Sequence, residues 1–177
     1  MGRDKGSLIY TGGRDQRTRC RELLASHCVE VFVSLRPEQA ELITADMLRI
    51  LDPVADRGPS AGIVAAFAHR PGPWLVLACD FPFADEGTVA RLIRARVQDS
   101  SSPDATVFVH PDGVIEPLFA IWELAALARL TARFAQGLDS PRAALEAGRL
   151  TRVPGDAGLT NVNQSSDIGQ RIARAAR

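Results

Sequence analysis

Trp74-Leu-Val-Leu-Ala-Cys-Asp80-Phe-Pro82 decides how this chain of 177 residues folds. Residues 74–79 are apolar without a break, and a carboxylate and a proline end the run. A short apolar stretch with no polar alternation reads as a strand covered on both faces, the kind found inside parallel sheets. A helix is expected after it over about 85–97. Before it, a helix over 61–69 is expected, capped by Ser60 behind a loop marked by Pro53, Gly58 and Pro59. Further upstream lie a strand at 47–51, a helix opened by Pro37 and running to about 45, a strand at 29–34 and a helix over 16–28. Downstream, strands at 106–109 and 114–121 flank a turn at His110-Pro-Asp-Gly113. Helices near 123–136, 141–147 and 165–176 and a short strand near 150–153 complete the reading. Strands alternating with helices of this length predict an α/β fold. Its three layers would be α/β/α around a mainly parallel sheet with a small antiparallel arm.

Composition narrows the function classes. Hydrophobic residues at 46% and charged residues at 24% suit one globular domain with a substantial core. Formal net charge is zero and the isoelectric point is about 6.8, so no basic face points to nucleic acid or an acidic membrane. No apolar run reaches the roughly 18 residues of a membrane span, and the first residues lack the apolar core of a secretory signal. Cys20, Cys28 and Cys79 are odd in number and form no C-x-x-C pair. They read as small buried hydrophobes in a reducing cytoplasm. Of 21 basic residues, all but Lys5 are arginine. An ammonium is a compact point charge and a guanidinium a planar fork, so a lone lysine is what a tight phosphate site would select.

Ligands of such sheets sit beyond the carboxyl ends of the strands. Asp80 emerges there from the apolar strand. It can meet Mg2+, which prefers one or two carboxylates plus substrate phosphates, or it can cap the following helix. Asp52 ends the strand at 47–51. Gly58 and Gly62, around Pro59, allow close backbone approach, and the helix start behind them favours anions.

Met1-Gly-Arg-Asp-Lys5-Gly-Ser-Leu8 resembles the second half of the nucleotide-binding signature of the molybdenum cofactor guanylyltransferase family, Leu-Ala-Gly-Gly-x-x-x-x-Arg-Met-Gly-x-Asp-Lys-x-x-Leu. Three further segments resemble family elements in order: Arg57-Gly-Pro-Ser-Ala-Gly-Ile63, Leu77-Ala-Cys-Asp-Phe-Pro82 and Glu116-Pro-Leu-Phe119. Leu159-Thr-Asn-Val-Asn163, with Asp167 after it, resembles the near-terminal N-x-N element. The resemblance implies a Rossmann-like nucleotidyltransferase that uses GTP, Mg2+ and molybdopterin. It places Lys5 on phosphate as a catalytic residue and Asp80 on the catalytic metal. Ser34, Asp52, Gly58, Pro59 and Gly62 fall at nucleotide positions, although the family often has Asn where Ser34 stands. Glu116, Pro117, Asn161 and Asn163 fall on the acceptor side. Other molybdenum cofactor biosynthesis proteins and molybdoenzyme chaperones are the partners it implies. It also implies a glycine-loop strand ahead of Met1, so residues 1–177 are expected to form a single domain lacking its first strand. That strand would lie mid-sheet, beside the strands at 29–34 and 74–79.

Other features carry blander readings. His27, His69 and His110 share no metal-ligand spacing, Tyr10-Thr-Gly-Gly13 reads as a turn, and Trp74 and Trp122 read as core. The arginines of 14–21 read as a solvated helix face. Two alternatives stay open at this stage. One is a related cytidylyltransferase or sugar-nucleotide pyrophosphorylase; the other is a degenerate, non-catalytic domain that binds nucleotide or a partner.

Overall fold

The structure is a computed structural model that describes residues 5–160 apart from 11, 12, 45, 53 and 55. Asn161, Asn163, Asp167, Pro53 and the helix expected over 165–176 lie outside the described residues. Helix α1 (Gln16–Ala25) starts at Asp15, whose carboxylate accepts from the Thr18 amide at 2.7 Å. Strand β1 (Phe32–Leu35) begins three residues later than expected, leaving Val29 fully exposed, and pairs in parallel with β2 (Leu48–Leu51). Between them the helix expected from Pro37 is a short 3-10 segment, Pro37–Leu42.

Two helix starts correct the reading of the sequence. Helix α2 (Pro59–His69) is entered through Gly58, at φ +63°, with Pro59 in its first position. Ser60 therefore lies inside the first turn, and its hydroxyl donates to the Asp139 carbonyl at 2.9 Å instead of capping. Helix α3 (Glu86–Gln98) is capped by Asp85, which accepts from the Thr88 amide and hydroxyl. Asp80 is thus not the cap of that helix.

Strands β3 (Trp74–Leu77), β4 (Ala105–Val109), β5 (Ile115–Trp122) and β6 (Leu150–Pro154) form the main sheet in the order β3-β5-β4-β6. β3, β4 and β6 point one way, and β5 runs antiparallel to both of its neighbours. The reversed strand sits inside the sheet rather than on a separate arm. It follows from the turn at 110–113, where Gly113 takes φ +85° and the His110 amide donates to the Val114 carbonyl.

Neighbouring residues of β5 face opposite sides of the sheet, and each side has its own core. Ala120 and Trp122 pack with Ile63 of α2 and with Leu127, Leu130 and Leu145 of helices α4 (Leu124–Ala135) and α5 (Pro141–Glu146). Phe119 and Ile121 pack on the other side with Phe81, Leu23 of α1, and Val89 and Leu92 of α3. Trp122 is core, as expected, while Trp74 is only half-buried.

The sheet is divided. Among the described residues no backbone pairing joins β1 to β3. The two strands meet instead through the Phe32 and Trp74 rings, with centroids 5.7 Å apart.

Candidate active site

The β3–β5 ladder ends where the Ala78 amide donates to the Leu118 carbonyl at 2.8 Å, and the chain then leaves the sheet as Cys79-Asp80. A one-turn 3-10 segment, Lys5–Ser7, lies opposite. Lys5 Nζ donates to Asp80 Oδ2 at 3.4 Å, joining residues 75 positions apart. Asp80's side chain is 14% exposed and that of Lys5 44%, so the carboxylate is sheltered while the ammonium reaches solvent.

The opposite wall comes from β1, β2 and α2. Ser34 donates its hydroxyl to Asp52 Oδ1 at 2.7 Å, and the Asp52 amide donates to the Leu35 carbonyl at 2.8 Å. Burial pushes the Asp52 carboxyl above its ordinary range, against the opposing pull of the Ser34 hydrogen bond. Gly62 packs directly against this pair: a Cβ there would fall 2.2 Å from Ser34 Oγ and 3.2 Å from Asp52 Oδ1. The approach to α2 is held from behind. Arg57 donates to the Phe134 carbonyl at 2.6 Å, pairs with Asp139 and lies 3.6 Å from the Phe134 ring centroid. Asp56, at φ +60°, and Gly58 are both left-handed, so the chain turns sharply on each side of that anchor.

Between the two walls lies a cavity of about 790 Å³, to which Lys5, Ser34, Asp52, Gly58, Pro59 and Gly62 all contribute. The MobA-like NTP transferase domain profile matches residues 1–153. The chain belongs to the MobA-like NTP transferase family. It is 36% identical over 179 residues to the molybdenum cofactor guanylyltransferase of Pseudomonas syringae pv. syringae, covering 88% of this chain and 87% of that protein. It is 31% identical over 175 residues to a molybdenum cofactor biosynthesis bifunctional protein of Synechocystis, covering 96% of this chain but only 49% of that protein. The chain thus spans about half the length of the Synechocystis protein. In fold it is similar to molybdopterin-guanine dinucleotide biosynthesis protein A of Archaeoglobus fulgidus, with a TM-score of 0.78 at 23% identity over 99% of this chain and 92% of that one. The 2-C-methyl-D-erythritol 4-phosphate cytidylyltransferase of Thermus thermophilus shares the fold at a TM-score of 0.72 and 18% identity, over 98% and 94% of the two chains.

In this MobA-like NTP transferase chain, two of the expected positions sit elsewhere. Glu116 accepts from the Leu118 amide at 2.9 Å and pairs with His110 at 3.2 Å. Pro117 is buried, and its carbonyl accepts from Trp122 Nε1 at 3.0 Å. Neither lines the cavity, whereas Leu118 between them and Phe119 does. Sequence reasoning also passed over Arg17, Cys20 and Arg21, which line the cavity from α1 with Leu24. The signal was available in their spacing, since 17, 20, 21 and 24 share one helix face. Arg17 is 5% exposed, which removes it from the expected solvated face. The Cys20 and Cys79 thiols interact there, which lowers Cys20 below the usual thiol range, while the same interaction and burial push Cys79 well above it.

Proposed function

We propose that this domain transfers GMP from GTP to molybdopterin and releases pyrophosphate. The observation that carries the reading is the Lys5–Asp80 contact at the edge of the cavity walled by Ser34, Asp52 and Gly62. A terminal phosphate of molybdopterin attacks the α-phosphorus of GTP, a reaction that needs positioning and neutralised charge more than covalent help. Lys5 balances charge on the leaving pyrophosphate. Ser34 and Asp52 hold the nucleoside against the backbone of Gly62, while Gly58 and Pro59 bring the start of α2 to the phosphates. Asn161 and Asn163 serve the acceptor side, while Glu116 and Pro117 act only through the strand that carries Leu118 to the cavity.

Mg2+ fits the donor set. Among the described residues no three acidic, His or Cys side chains cluster to form a closed metal cage. A sheltered single carboxylate beside a phosphate-binding lysine matches a cation that takes most of its other ligands from substrate and water. Asp80 would hold it, and bound Mg2+ would supply Lewis-acid stabilisation of the triphosphate.

A glycine-loop strand between β1 and β3 belongs to the same reading, because among the described residues each of these two strands is paired on one side only. Partners among cofactor-biosynthesis proteins or molybdoenzyme chaperones follow from the same assignment, and three free thiols suit a reducing cytoplasm. No helix among the described residues is long and apolar enough to cross a membrane.

Pyrophosphate release, measured with each of the four nucleoside triphosphates, tests the reading. GTP should be consumed only when both Mg2+ and molybdopterin are present. Equal turnover of CTP, or turnover with a sugar phosphate as acceptor, would overturn the guanylyl assignment. An absence of turnover would leave a binding domain.

A further inference from the structure

We propose that Arg17 is a positioning residue of this site, its buried guanidinium bracing the Lys5–Ser7 turn and so setting the Lys5 ammonium beside Asp80. The proposal rests on the nucleotidyl transfer proposed above.

Arg17 stands in the first turns of α1, in a stretch crowded with arginines that reads as a solvated face. It is instead 5% exposed and lines the nucleotide cavity. Its guanidinium lies against Gly6. A Cβ on Gly6 would fall 2.9 Å from Arg17 Nη2, 3.1 Å from Nε and 3.3 Å from Cζ. Three guanidinium atoms at nearly equal range mean that a flat surface, not one tip, supports the turn. Only a planar side chain supplies such a surface, and only glycine leaves room for it. The guanidinium thus lies against Gly6, the residue next to Lys5, in a cavity that Cys79, the residue before Asp80, also lines; the Lys5–Asp80 pair itself stands at 3.4 Å. The placement of Arg17 in a cavity that Arg21, Arg36 and Arg57 also line suits a polyphosphate ligand.

Lys5 is the only lysine of the chain, so carbon-13 labelling of lysine gives one side-chain signal that reports on it alone. In Arg17→Met that signal should move toward the position of free lysine, and kcat/KM for GTP should fall by about 10²-fold, as expected for misplacement of about 1 Å. The loss should lie mainly in kcat, because Lys5 acts on charge that develops in the transition state. Arg17→Lys keeps the charge without the flat surface and should behave as Arg17→Met does. Gly6→Ala, which pushes the guanidinium away, should reproduce both changes. An unmoved lysine signal in folded Arg17→Met overturns the proposal, and so does a moved signal with unchanged kcat. If Arg17→Met does not fold, Gly6→Ala decides by the same two criteria. If the unaltered protein turns over no nucleoside triphosphate, the proposed function fails. The lysine signal then still decides whether Arg17 braces the turn.

Discussion

Adding one methyl group at Gly62 should damage the site selectively, and its cost can be worked from the structure. The new Cβ would lie 2.2 Å from Ser34 Oγ and 3.2 Å from both Ser34 Cβ and Asp52 Oδ1. The hydroxyl cannot stay where it is, so the 2.7 Å bond from Ser34 to Asp52 breaks. Overpacking costs about 1–3 kcal/mol, and the lost hydrogen bond to a carboxylate adds about 1 kcal/mol, discounted because Asp52 is only half-buried. A total of about 2–4 kcal/mol corresponds to a fall in Tm of about 5–15 °C for a chain of this size. Displacing the wall should also raise KM for GTP by about tenfold, the equivalent of about 1.4 kcal/mol. Calorimetry of Gly62→Ala, Ser34→Ala and the double variant checks the reasoning. Removing the hydroxyl gives the new methyl space, so the double variant should melt above Gly62→Ala, a clear departure from additivity. A Gly62→Ala protein with unchanged Tm and unchanged KM would refute it.

Asp80→Asn should lower turnover by about 10²-fold or more, and Lys5→Arg should impair the reaction despite keeping the charge; steady-state kinetics on folded variants reads both. The Ser101 hydroxyl and then Thr151 lower Asp99 from 3.8 to about 2. A depressed carboxyl contributes stability above its unfolded value, and that contribution is lost as pH falls through the folded one. Acid unfolding should therefore weaken the protein progressively between those two values, and Asp99→Asn should flatten that part of the melting profile.

Much of this fold is written in local chemistry. The uninterrupted apolar run at 74–79, the turn at 110–113 and the glycine and proline before α2 each report a backbone preference that neighbouring residues suffice to express. The ordered Asp-Lys, Gly-Pro and Cys-Asp segments likewise made Lys5, Gly58, Pro59, Gly62 and Asp80 legible as a set, and the structure brings them to or beside one cavity. What neighbours in sequence cannot express is which distant surfaces meet. Asp80 and Asp85 are equally plausible helix caps in one dimension, and only the path of the chain after β3 gives the cap to Asp85 and turns Asp80 toward Lys5. The insertion of β5 between β3 and β4, the pressing of Gly62 onto Ser34 and the burial of Arg17 under Gly6 have the same origin. They arise because each layer must cover the apolar face of the next, and close packing then leaves one arrangement of side chains that fits.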